Sequence, residues 1–173
     1  VFAWGRYGGA LKQAIAALKY NNHPQLARPL GHWLGQAWLS SPVSQAKSLT
    51  VIPIPMHPDK WQERGFNQAE LIARSFCEQT GLPLQSQGLI RVRHTEAQFG
   101  LSAEARVKNL SGAFRVGAGV TGQLVAQPKT ILLVDDIYTT GATANAAAQA
   151  LHQHQVAVYG VVAIAKTVSY SKG

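Results

Sequence analysis

The stretch from Thr130 to Ala165 limits the possible folds of this chain more than any other. TILLV (130–134) is a short, apolar, β-branched run of the kind found in strands buried on both faces. DDIYTTG (135–141) follows as a polar loop, ATANAAAQALHQH (142–154) reads as a helix, and VAVYGVVAIA (156–165) is a second apolar run. Strand, loop, helix and strand in that order predict two parallel strands joined by a right-handed crossover.

The remaining chain extends the alternation. Leu11, Ile15 and Leu18 recur at helical spacing until Asn21-Asn22-His23-Pro24 breaks the run. A second stripe, Leu26, Leu30, Trp33, Leu34, Ala37 and Trp38, predicts another helix with its tryptophans in the core. Leu49–Pro53 reads as a buried strand. Asn67–Thr80 reads as a helix with Asn67 and Glu70 spaced as a capping box, stopped by Gly81 and Pro83. Leu84–Arg93 supplies a strand or two, and the polar stretch after it holds a short helical pattern, Ser102–Leu110. The expected fold class is α/β, a mostly parallel sheet flanked by helices. At 173 residues the chain suits one domain, with an N-terminal helical part (1–48) and an α/β core (49–168).

Ligands of open α/β sheets bind beyond the carboxyl ends of the strands, which is where residues 135–141 fall. Two adjacent acids there call for a cation or a set of hydroxyls to offset them. Neighbouring extended side chains diverge, so Asp135 and Asp136 can reach two vicinal hydroxyls. Thr139, Thr140, Gly141, Ala142 and Thr143 then offer small side chains, hydroxyl donors and open backbone N–H groups. The helix beginning among them adds roughly half a positive charge. Acids for sugar hydroxyls followed by amides for a phosphate describe a ribose 5-phosphate site; an Asp cap beside a Thr/Gly turn explains one half of the pattern, not its order.

ILLVDDIYTTGAT (131–143) resembles the signature by which type I phosphoribosyltransferases bind 5-phosphoribosyl 1-pyrophosphate (PRPP). Together with ALKY (17–20), VIPIPMHPDKWQERGFNQAELIA (51–73) and RHTEAQFGLSAEARVKNLSGAF (93–114), in that order, it resembles the ComF family, named for bacterial competence and DNA uptake. The spacing of Gln98, Leu101, Arg106, Asn109, Ala113 and Phe114 separates that family from salvage enzymes. The resemblance spans residues 7–167 and implies a type I phosphoribosyltransferase-like fold with a mobile hood at 94–114. It also implies that Asp135 and Asp136 hold the ribose, with magnesium bridging nearby, and that Thr139–Thr143 hold the 5-phosphate.

By the same resemblance the loop Pro55–Gly65 grips pyrophosphate. Arg64, whose planar fork suits phosphate oxygens, is the first candidate there and Lys60 the second, though Lys60 equally suits a solvated surface. From the hood, Arg106 and Lys108 are candidates. Arg91 and Arg93 read as strand-edge charges. Lys166 either faces an acceptor or ends the sheet, and His57 and His94 are lone histidines in the two loops. Many ComF-like proteins begin with a four-cysteine zinc ribbon; with Cys77 as its single cysteine, this chain is expected to hold no such zinc site. The reaction implied is displacement of pyrophosphate at ribose C1; the alternative is a catalytically silent PRPP-sensing adaptor or a single-stranded DNA-binding module of the competence machinery. Implied partners are a competence helicase or other uptake proteins, and single-stranded DNA.

Composition bounds the rest. Sixteen Lys and Arg against eight Asp and Glu give +8, which favours anionic partners, but the cations are dispersed rather than gathered in an arm. The single Cys77 excludes an intrachain disulfide or cysteine-zinc cluster and reads as a small apolar side chain. No apolar run reaches the roughly 18 residues of a membrane span, and no export signal is readable, so a cytoplasmic protein is expected. The chain opens on Val1 and its only methionine is Met56, so a fragment or processed product is expected.

Overall fold

A computed structural model describes residues 1–45, 48–93, 112–118, 120 and 130–168. The elements are β1 (Phe2–Arg6), α1 (Gly9–Tyr20), α2 (Ala27–Leu39), β2 (Leu49–Pro53), α3 (Pro58–Arg64), α4 (Gln68–Thr80), β3 (Leu89–Arg91), β4 (Phe114–Val116), β5 (Thr130–Tyr138), α5 (Ala142–His152) and β6 (Val158–Lys166). β1, β6, β5 and β2 lie side by side in that order, every pair parallel. β3 and β4 form a separate antiparallel pair. The mostly parallel sheet flanked by helices is therefore present. Among the described residues no helix is long and apolar enough to cross a membrane.

Two cores sandwich the sheet. Leu132, Val134, Val162 and Ile164 turn to one face, where Ile15 and Leu18 of α1, Leu30, Leu34 and Trp38 of α2, and Ile72 and Phe76 of α4 cover them. Ile131, Leu133 and Val161 turn to the other, under Ala147 and Leu151 of α5 and Leu89 and Phe114 of the β3–β4 pair. That two-sided burial is why the central strands are continuous apolar runs. α4 starts as expected, with Asn67 Oδ1 accepting the Ala69 N–H at 3.1 Å, and closes on Gly81 in the left-handed region (φ 71°). The other half of the capping box is not made, since Glu70 pairs with Arg74 at 2.6 Å. Asn67 also donates to Ile54 O at 3.1 Å, which ties the end of β2 to the helix.

Four expectations change. The N-terminal part is not purely helical: Phe2–Arg6 is an edge strand, paired with β6 from Phe2↔Val162 to Arg6↔Lys166. Trp38 is core, but Trp33 is half-exposed and stacks on Trp4 with ring centroids 5.4 Å apart, because it lies beside the Leu30–Leu34–Trp38 stripe rather than on it. The stretch after β2 is not all loop. Pro58 at the first helical position, a His57 cap and left-handed Gly65 (φ 80°) enclose the two turns of α3. Finally, β5 runs through the acid pair to Tyr138, because its pairing with β6 continues through Asp135↔Ala163 and Tyr138↔Lys166.

Candidate functional site

Parallel strands bring all four carboxyl ends to one edge, and there β5 delivers Asp135 and Asp136. Asp136 is buried, 3% exposed, and its Oδ2 meets Lys19 Nζ of α1 at 2.8 Å. Asp135 is half-buried, and its Oδ1 accepts the Asp136 N–H at 2.8 Å. The acids therefore diverge as expected, but they are not equivalent. Asp136 is turned onto an ammonium, whereas Asp135 is the carboxylate not held by Lys19. Burial first, and then the Asp136 charge, pushes the Asp135 carboxyl up to about 7, with Lys19 acting in the opposite sense. Burial works against the Lys19 ammonium, yet the charge and hydrogen bond of Asp136, together with the nearby Asp135 and Tyr20, raise its titration above the ordinary lysine value.

Beyond Tyr138 the chain turns into α5. Thr139 and Thr140 are exposed, Gly141 adopts φ 80°, and Thr143 is half-buried. Ala142 donates to Thr140 Oγ1 at 3.4 Å, and Asn145 is the first residue to close a helical bond, on Gly141 O at 2.8 Å. A helix leaves its first N–H groups without internal partners, so this turn presents amides at a positive helix end. Gly141 is required twice over: its φ disfavours a side chain, and a Cβ there would lie 2.2 Å from Tyr138 Oη.

Beside the acids, toward β2, a cavity of about 500 Å³ is lined by Lys19, Tyr20, Asn22, Lys60, Glu63 and Arg64. Arg64, at the end of α3, donates to Gln68 Oε1 at 2.6 Å and lies over the Tyr20 ring, 5.6 Å from its centroid. Lys60 reaches solvent. Its ammonium is held below the usual lysine value by partial burial and by the charges of Arg91, Arg64 and Lys19. Arg91, read from sequence as an edge charge, sits over Phe114 at 5.5 Å, and its guanidinium feels Asp135. Lys19 and Arg91 thus act on the acid pair directly, and Lys60 feels Lys19, Arg64 and Arg91 in turn.

Arg64 and Lys60 share a cavity with Lys19, the ion-pair partner of Asp136. Arg106, Lys108 and His94, with residues 94–111 of the expected hood, lie outside the described residues. His57 caps α3, its Nδ1 accepting the Asp59 N–H at 3.3 Å. Lys166 ends β6 with Nζ 5.9 Å from the Tyr138 ring centroid, and with Arg6 it lines a cavity of about 640 Å³ at the β1–β6 end of the same edge. Lys19 lies in the ALKY segment, but the sequence alone assigns it no role at the site. A lysine in a helix's last turn ordinarily complements the helix dipole, and only the fold reveals its acidic partner. Burial pushes the Cys77 thiol up to about 12, in keeping with its reading as an inert apolar side chain.

These features define a class: a parallel α/β domain whose carboxyl edge joins an acid pair, a helix N-terminus and a cationic cavity. No family model matches the chain. It is 30% identical over 164 residues to DNA utilization protein YhgH of Salmonella typhimurium, covering 94% of this chain and 70% of that protein. It is 29% identical to competence protein F of Haemophilus influenzae, over 91% of this chain and 69% of that one. Competence protein ComFC of Streptococcus pneumoniae is 31% identical over 80% of this chain and 56% of its own length. The chain belongs to the ComF family. Two adenine phosphoribosyltransferase structures, from Leishmania donovani and Leishmania tarentolae, align with 87% and 96% of the chain, which covers 56% and 80% of them. Their identities are 18% and 14%, and their TM-scores 0.46 and 0.47.

Proposed function

We propose that the carboxyl edge of β5 binds PRPP or a related ribose phosphate. The observation that carries this is the succession along one stretch of chain: two carboxylates at the exit of β5, then the open amides of the turn into α5, with the Lys19–Lys60–Arg64 cavity alongside. The turn takes the 5-phosphate, the acids face the ribose, and the cavity receives the pyrophosphate. Magnesium carried by a phosphorylated ligand keeps most of its waters and asks the protein for only one or two carboxylates. Asp135 fits that demand, because Lys19 occupies Asp136 and not Asp135. When bound, the metal would neutralise charge on the departing pyrophosphate. In turnover, a nucleophile's lone pair attacks C1, the C1–O bond breaks, and pyrophosphate leaves with the bonding pair. The side chains then supply orientation and charge stabilisation rather than a covalent intermediate.

Titration calorimetry with PRPP and magnesium tests this. Binding by the unaltered chain should weaken about 100-fold or more with Asp135→Asn plus Asp136→Asn, since charge-assisted hydrogen bonds contribute roughly 1.5–3 kcal/mol each. The pH dependence has a definite sign. With its pKa raised to about 7, Asp135 holds a proton below neutrality, so affinity for magnesium–PRPP should climb between pH 6 and 7 and level off above. The folded state also binds more protons than the unfolded one between the ordinary carboxyl value, about 3.9, and 7, so Asp135 makes stability fall as pH rises through that window. Asp135→Asn should flatten both profiles. An affinity independent of pH in the unaltered chain would count against Asp135 as the ligand-facing acid.

A second reading has support of its own: relatives are named for DNA utilization and competence, and the chain carries +8. PRPP would then act as a signal that alters affinity for a partner of the DNA-uptake apparatus, without turnover. Pyrophosphate release with a panel of amines and bases separates the two, because the sensor binds PRPP and releases none.

A further inference from the structure

Lys19 stands between two sites. Its Nζ meets Asp136 Oδ2 at 2.8 Å, with side chains 18% and 5% exposed, and the same residue lines the cationic cavity with Lys60 and Arg64. Apart from Lys19, no group among the described residues satisfies Asp136 Oδ2. Burying a carboxylate without a partner is costly, so in the free protein Lys19 is the group that offsets the Asp136 charge. On the cavity side the balance is reversed. Lys19, Lys60 and Arg64 face only Glu63 among the lining residues, so an entering polyanion would draw on all three cations. A lysine can answer both demands in turn, because its ammonium rides on a flexible four-carbon stem and has three donors.

We infer that Lys19 is the resident counter-cation of the acid pair, and that it moves from Asp136 to the pyrophosphate group when PRPP enters. Asp136 is then free for the ribose hydroxyls only when a pyrophosphate is present. This inference rests on the PRPP reading above and adds to it a means of discrimination. Ribose 5-phosphate has the sugar and the phosphate but nothing to draw Lys19 away, so it meets an acid pair still half-neutralised. Lys19 acts here as a positioning residue, through Asp136 and through charge.

The test compares PRPP with ribose 5-phosphate by calorimetry, in the unaltered chain, Lys19→Met and Lys19→Arg, alongside Mn2+ binding without sugar. Lys19→Met should weaken PRPP about tenfold or more, as expected for loss of one charged contact to the pyrophosphate, while ribose 5-phosphate binds at least as tightly as to the unaltered chain because Asp136 is vacated for it. Lys19→Arg should restore most of the difference, and Mn2+ should bind Lys19→Met more tightly because Asp136 is vacated. Lys19→Met strands a buried charge, so Lys19→Met with Asp136→Asn removes both charges and guards against a misfolded variant. It should keep the lowered ratio of PRPP to ribose 5-phosphate affinity. If the unaltered chain binds both sugars and Lys19→Met leaves that ratio unchanged, this inference alone is overturned. Binding of neither sugar by the unaltered chain overturns the PRPP reading and this inference together.

Discussion

Gly141→Val should abolish detectable binding of ribose 5-phosphate and PRPP while leaving the domain folded. At φ 80° a β-branched residue is strongly disfavoured, and its Cβ would meet Tyr138 Oη at 2.2 Å and Cζ at 2.7 Å. Relief requires the turn into α5 to move or the Tyr138 ring to swing out from beside Lys166. Either displaces the amides that would face a phosphate. Losing two such contacts is worth about 3 kcal/mol or more, a fall of at least about 100-fold. The cost to stability is smaller, about 1–3 kcal/mol, because strain of this kind stays local. Tyr138→Ala in the same chain separates the causes. It removes the clash but not the disfavoured φ, so binding should recover only in part. Unaltered affinity in Gly141→Val, measured by calorimetry on a folded variant, would remove the turn from the site.

The largest loss of stability should come from the opposite face of the sheet, with Gly31→Val. A Cβ on Gly31 would lie 2.5 Å from Ile72 O and 2.7 Å from Ser75 Cβ, so α2 and α4 touch nearly backbone to backbone. Ser75 Oγ also donates to Arg28 O at 2.7 Å, a bond that holds the helices at this separation. Neither contact can yield without parting the helices that cover Val134 and Val51. Overpacking of this kind costs about 3 kcal/mol, which lowers the melting temperature by roughly 10 °C in a domain of this size. Circular dichroism melts would measure it. A shift below about 2 °C would mean that the helices are not packed this closely.

Much of this arrangement could be read from the residues. The central strands announce themselves because both faces are buried, and α4 because Asn67 and Gly81 close its ends by local chemistry. The turn after β5 was legible for the same reason: glycine, small residues and threonines at a helix entrance have few other uses. What escaped depends on partners far along the chain. Phe2–Arg6 holds a glycine and an arginine and looks like no buried strand. It is one only because β6, at the other end of the sequence, offers it a parallel edge. Asp135 and Asp136 looked like loop residues because acids are unusual in strands, and their pairing to β6 is not a local property. Helix α3 was within reach, since Pro58 and Gly65 are start and stop signals. Lys19 was not, for its acidic partner lies in another element and nothing near it in sequence marks the pair.

Whether a phosphorylated pentose rests on the acids and amides at the end of β5 is most directly answered by amide resonances. Ribose 5-phosphate should be titrated into 15N-labelled protein while each backbone N–H is followed. Saturable shifts are expected at Thr139–Thr143 and at Asp135 and Asp136, with PRPP extending them to Lys19, Lys60 and Arg64. Saturable shifts confined to other parts of the chain, or none at millimolar sugar phosphate, would contradict the site.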